Sequence, residues 1–142
     1  MADVNYQTVV GIVVCKDELL LLKKQGKWIG WGFPQGAREE NETNEEAVLR
    51  ELKEETNLEG NILMQLPLKL SYEYKGKFGD EKGKKVHKDE TFFLISVDKD
   101  NKIKLSLEHS DFKWEKFNDA KKLLMHENNK KALKVAIDEL KK

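Results

Sequence analysis

The sequence has one cysteine, Cys15, among its 142 residues. A single thiol excludes an internal disulfide framework and a multi-cysteine zinc site, and it fits a reducing cytoplasmic setting. Proline is scarce too, with two residues, and no internal repeat or low-complexity tract is present. There is no surplus of either charge, since 26 Lys+Arg face 26 Asp+Glu. A general binder of nucleic acid or anionic membrane carries a basic surplus, so extended nucleic-acid contacts are not expected, whereas contact with an RNA 5′ end stays open. Long apolar runs are missing: Val9 to Cys15 and Leu19 to Leu22 fall far short of a membrane span. The opening Met-Ala-Asp-Val-Asn-Tyr lacks the basic and apolar regions of a signal peptide. These absences leave a small soluble cytoplasmic protein, and 142 residues suit one domain with one core over residues 1–142. The oligomeric state is not legible.

What is present is organised in blocks. Thr8 to Cys15 is β-branched and too short for a buried helix, so it predicts a central strand with Cys15 as a small core residue. Lys16-Asp17-Glu18 forms a turn and Leu19 to Leu22 the return strand. Gly26 to Gly36 holds four glycines, Trp28, Trp31 and Pro34, which predicts strand and loop and forbids a helix. Asn44 to Thr56 is the clearest helix, with Val48, Leu49 and Leu52 on one side. Ile62 to Tyr74 predicts one or two strands interrupted at Pro67, and the lysine-rich Lys75 to Lys88 a long loop. Strands follow at Glu90–Val97, Ile103–Leu107 and Phe112–Phe117, then helices near Asn118–Leu124 and Asn129–Lys141. The pattern is α+β, a sheet with one early helix and C-terminal helices covering it.

The segment that carries chemistry is the early helix. Glu51, Glu54 and Glu55 share one arc, because positions i, i+3 and i+4 stack on one helix face. Val48, Leu49 and Leu52 form the adjacent stripe, so the carboxylates sit at the edge of the buried face. Like charges at i and i+4 cost roughly 0.2–0.5 kcal/mol per pair. Arg50 offers one cation against four glutamates, counting Glu42. A hard divalent cation such as Mg²⁺ offsets the cluster better and commonly bridges to substrate phosphates.

Gly36, Glu42, Arg50, Glu51, Leu52, Glu54, Glu55 and Leu58 resemble, in register, the signature of the Nudix hydrolases. Eight such matches at fixed spacing arise by chance on the order of once in a few hundred million windows. One position departs: Asn57 stands where the family has Gly. The family's Gly follows the helix in the left-handed conformation, for which Asn is the next best residue. The resemblance implies an α/β/α sandwich, a mixed sheet with the motif helix on one side and the C-terminal helices on the other. It also implies Mg²⁺ or Mn²⁺ held by Gly36 and the carboxylates of Glu51, Glu54 and Glu55. Arg50 would orient the glutamates, with Glu42 behind it, and a glutamate would act as general base in attack of water on a nucleoside polyphosphate.

Two further stretches narrow the substrate. Trp31-Gly32-Phe33-Pro34-Gln35-Gly36 resembles a segment of diadenosine polyphosphate hydrolases and of RNA 5′-pyrophosphohydrolases. Glu108-His109-Ser110-Asp111-Phe112-Lys113-Trp114 resembles a segment of asymmetrical bis(5′-nucleosyl)-tetraphosphatases. By that likeness Glu108 joins the metal cluster as ligand or base, leaving the base open between Glu51 and Glu108. Phe112 and Tyr74 would stack a base, and Lys88 would bind phosphate. The expected reaction is asymmetrical cleavage of diadenosine tetraphosphate to ATP and AMP. Removal of pyrophosphate from 5′-triphosphorylated RNA is the alternative, and a nucleotide-sensing module the non-enzymatic one. The tryptophans are expected to be structural, the 75–88 loop a soluble surface or a basic lid, and His87, His109 and His126 isolated residues the chemistry does not need.

Overall fold

The computed structural model describes residues 2–25, 30–98 and 102–142. Trp28 and the start of the glycine-rich segment lie outside them. Strands β1 (Val4–Cys15) and β2 (Glu18–Lys24) form a hairpin, followed by the short β3 (Gly30–Gly32) and β4 (Gln35–Ala37). Helix α1 (Asn44–Thr56) leads to β5 (Asn61–Lys75), β6 (Lys85–Ser96) and β7 (His109–Lys116). Helices α2 (Phe117–Leu123) and α3 (Glu127–Leu140) close the chain.

The sheet is mixed because β1 is its centre. It runs antiparallel to β2 and β4 but parallel to β6, in the order β3-β2-β1-β6-β5, with β7 along β2. Alternate residues of β1 face opposite sides, and both sides are dry. Val9 and Val13 join Ala47, Val48 and Leu52 of α1 on one side, while Val10, Ile12 and Val14 join Ala120, Ala132, Leu133 and Ala136 of α2 and α3 on the other. Each fully buried aliphatic contributes about 1.5–3 kcal/mol. The sandwich therefore has the predicted layers, with α1 on one face and the C-terminal helices on the opposite one.

Several boundaries differ from the sequence reading. β1 starts four residues before Thr8, and β6 starts at Lys85 inside the expected loop, because Val4 to Gln7 pair with Val86 to Asp89. Polar residues lengthen both strands through non-local pairing. β5 is one strand: Pro67, which has no N–H to donate, sits in a register shift between Gln65 and Lys69 on the sheet edge. Residues 103–107 form no strand. Instead Lys104 N–H donates to Thr56 O at 2.8 Å and Ser106 N–H to Glu55 O at 3.1 Å, tying that segment along the end of α1. Cys15 is half-buried at the end of β1, not in the core, because it faces the turn into β2.

Candidate active site

The start of α1 is fixed by a capping box. Thr43 Oγ1 accepts from Glu46 N–H at 3.1 Å, and Thr43 N–H donates to Glu46 Oε1 at 2.9 Å. Its end is fixed by Asn57, left-handed at φ 66°, whose N–H donates to Lys53 O at 2.9 Å. Asn thus occupies the conformation for which the family keeps Gly.

Between these caps the acidic arc grades from dry to wet. Glu55 is 4% exposed, and the Glu51 side chain 14%. Glu54 stands largely in solvent, at 57%. Glu55 Oε1 accepts from the Gln35 N–H of β4 at 3.0 Å. The same strand carries Gly36, paired with Val9 of β1. A Cβ at Gly36 would fall 2.0 Å from the Glu51 carboxyl carbon, so only glycine leaves room for that carboxylate.

Arg50 is the hub of the arc. Its Nε and Nη2 donate to Glu42 at 2.6 and 2.9 Å, a bidentate pair. Nη1 donates to Glu51 at 2.9 Å and to Glu54 at 3.2 Å, and Nη2 also donates to Ala37 O at 3.0 Å. The Arg50 hydrogen bonds hold Glu42 down at about 2. Burial raises Glu51, against the opposing pull of Arg50. Glu55 is pushed up to about 8, chiefly by burial, with the Glu51 and Glu108 carboxylates adding to it and the Gln35 N–H opposing.

Three ligand-type side chains converge outside that ion-pair network. Glu55, Glu108 and His109 offer oxygen and nitrogen atoms that all lie within 4.8 Å of one another. The segment pinned to α1 delivers Glu108, and Gln25 N–H donates to Glu108 O at 2.9 Å. His109 opens β7, is buried, and is held neutral by that burial. The structure thus groups Glu55 with Glu108, and it places Glu51 and Glu54 on Arg50. The carboxylates of Glu55 and Glu108 fit a hard divalent cation such as Mg²⁺ or Mn²⁺, whereas the His109 imidazole is a donor more typical of transition-metal ions.

A cavity of about 280 Å³ opens beside this group, and Gln35 and His109 are part of its wall. Tyr72 and Tyr74 stack there with ring centroids 6.0 Å apart, and His126 stacks on Tyr72 at 6.5 Å. The Lys88 ammonium lies 5.6 Å from the Tyr74 centroid and 5.9 Å from that of Tyr72. Trp31, the buried Asn129 and a second cation, Lys24, also line it. Tyr74 and Lys88 therefore share one cavity, whereas Phe112, 38% exposed opposite Leu22, does not line it. Sequence reasoning missed Tyr72, His109, His126 and Asn129. The i, i+2 spacing of Tyr72 and Tyr74, which puts both rings on one face of the strand expected over Ile62–Tyr74, is the signal that could have found Tyr72.

The layers and the site define an α/β/α sandwich with a carboxylate centre beside an aromatic, lysine-bearing cavity. The chain belongs to the Nudix hydrolase family: the NUDIX domain matches residues 5–136. It is similar to an RNA pyrophosphohydrolase of Ruthia magnifica subsp. Calyptogena magnifica, 33% identical over 121 residues that cover 78% of this chain and 68% of that one. Against further RNA pyrophosphohydrolases the chain spans between 28% and 57% of the relative's length. Among solved structures, the E. coli dihydroneopterin triphosphate pyrophosphohydrolase shares the fold with a TM-score of 0.75 and 19% identity, over 92% of this chain and 95% of that one. A C. elegans Ap4A hydrolase shares it at 0.73 and 24% identity, over 96% and 97%. No helix among the described residues is long and apolar enough to cross a membrane.

Proposed function

We propose that this protein hydrolyses nucleoside polyphosphates with a divalent cation, and that diadenosine tetraphosphate, cut asymmetrically to ATP and AMP, is its substrate. The observation that carries the reading is the convergence of Glu55, Glu108 and His109 at the wall of the cavity that holds Tyr72, Tyr74 and Lys88. Base stacking on the tyrosines and His126 binds one nucleoside, and Lys88 attracts its phosphates. Glu55 and Glu108, with Glu51, Glu54 and the Gly36 carbonyl, would hold Mg²⁺ or Mn²⁺. When bound, the ion neutralises phosphate charge and makes water a better nucleophile.

The chain's own residues do the rest. Arg50, itself clamped by Glu42, holds Glu51 and Glu54 in place directly. The attacking water forms a new P–O bond and the bridging P–O bond breaks, its oxygen leaving with ATP. The water's proton passes to a carboxylate oxygen. Glu108 is favoured over Glu51, whose Oε1 is already engaged by the Arg50 guanidinium.

A second reading, removal of pyrophosphate from 5′-triphosphorylated RNA, is favoured by the similarity to RNA pyrophosphohydrolases. Product analysis separates them, with diadenosine tetraphosphate, 5′-triphosphorylated RNA and ADP-ribose offered separately with Mg²⁺ to wild type and Glu55→Gln. ATP plus AMP from the dinucleotide, lost in the variant, supports the first reading, and pyrophosphate from RNA moves the assignment to the second. Nucleotide binding without turnover of any of the three would make the protein a sensing module.

A further inference from the structure

The rings around the cavity's lysine are held by a carboxylate from the turn that joins β5 to β6. Gly79–Glu81 form a short 3-10 turn between β5 and β6, and Glu81 reaches back from it to two strands. Its Oε2 accepts from Tyr6 Oη of β1 at 2.9 Å, and its Oε1 from Tyr74 Oη of β5 at 2.8 Å. The Lys88 ammonium sits among three rings, 5.7 Å from the Tyr6 centroid and 5.6 and 5.9 Å from those of Tyr74 and Tyr72. Two of those three tyrosines are thus fixed by the two oxygens of one carboxylate. Among the ion pairs of the described residues Lys88 has no carboxylate within 4.0 Å; burial lowers its pKa, and the charges of Glu81 and Glu90 act the other way.

We infer that Glu81 is a positioning residue: by tying Tyr6 to Tyr74 it shapes the tyrosine cage that aims Lys88 and sets affinity for the phosphates of a nucleotide. Neither Glu81 nor Tyr6 lines the cavity. The inference rests on the proposed reading only for the nucleotide class. Glu81 also acts on Lys88 through its charge, but its two oxygens bond the tyrosine hydroxyls and not the ammonium. Its role is geometric, and geometry lost at the cage costs binding and leaves the carboxylate centre alone.

The test is calorimetric affinity for ATP, with KM and kcat for whichever polyphosphate the wild type hydrolyses, in Glu81→Ala, Glu81→Gln and Tyr6→Phe. Glu81→Ala is expected to weaken ATP about tenfold, the size of one net hydrogen bond, with KM rising by the same factor and kcat within about twofold. Glutamine keeps one acceptor oxygen, and Tyr6→Phe removes one of the two donors, so each is expected to give a smaller loss of the same kind. Should Glu81→Ala fail to fold, those two variants carry the test. ATP affinity unchanged in all folded variants overturns the inference, as does a fall in kcat at constant KM, or a wild type that does not bind ATP. Absence of turnover with intact ATP binding would instead overturn the hydrolase reading and leave this one to be judged on affinity.

Discussion

The Glu51 carboxylate occupies the space that a side chain at Gly36 would fill: a Cβ built there meets its carboxyl carbon at 2.0 Å and both oxygens at 2.3 Å. No backbone atom is among those nearest contacts, so α1 need not move when the space is filled. Gly36→Ala is therefore expected to displace the carboxylate alone. Thermal stability should change by under about 1 kcal/mol, and metal-dependent turnover should fall about 100-fold, the cost of an ångström-scale misplacement at a reacting centre. Paired melting curves and kinetics check it, and a large loss of stability with activity per folded molecule intact would contradict it.

Arg50 makes a bidentate pair with Glu42 while it also donates to Glu51, Glu54 and Ala37 O. Lysine has no planar fork and cannot satisfy those acceptors together. Arg50→Lys should weaken Mn²⁺ binding about 10- to 100-fold, as for other residues that orient metal ligands. Glu42→Gln acts through the same guanidinium, so the double variant should lose little more than Arg50→Lys alone. Mn²⁺ titration of the four proteins reads the cycle, and strictly additive losses would show that Glu42 and Arg50 act separately.

The site was more legible than the boundaries, for a physical reason. Glu51, Glu54, Glu55 and Arg50 are placed by one helix, whose period follows from local sequence, and Asn57 announces its end. Lys85 to Asp89 form a strand although they look like loop, because their partners are far away. His87 is held between Glu73 at 3.0 Å and Asp89 at 2.9 Å, and Lys88 sits in a tyrosine cage built from two other strands. Tertiary pairing supplies what intrinsic propensity withholds. His109 was passed over for the same reason: nothing local says that the segment before it is laced to α1, which is what carries it to Glu55.

Protonation should couple to metal in a way that can be measured. The Glu55 carboxyl rises from an ordinary 4.5 to about 8 on folding without metal. A raised carboxyl contributes stability that is full below 4.5 and is lost as pH climbs through 8. The metal-free protein should therefore weaken across that window, and Glu55→Gln should flatten the limb. At pH 7 an incoming ion must displace the proton, so calorimetry in buffers of different ionisation enthalpy should record about one proton released per ion. Glu42 has the opposite sign: lowered to about 2, it contributes stability above 4.5 that is lost as pH falls through 2. Glu42→Gln should remove that acid limb and leave the alkaline one.

Of the aromatics near the site, Tyr72 and Tyr74 line the cavity and Phe112 does not. Tyr72 lies between Tyr74 and His126 on the cavity wall, with ring planes within 24° of its neighbours. Phe112 sits on β7 opposite Leu22 and outside that wall. Stacking of a base on an aromatic is worth about 1–3 kcal/mol. Tyr72→Ala should therefore raise the KM for a dinucleotide substrate at least about fivefold, and Phe112→Ala should leave it within about twofold. Tyr74→Ala should exceed Tyr74→Phe, because the first removes a ring from the cavity and the second only the hydroxyl bound to Glu81. Steady-state kinetics on the four variants decides the matter. A Phe112→Ala loss as large as that of Tyr72→Ala would place the base on the β7 side of the site and not in the cavity between β5 and α3.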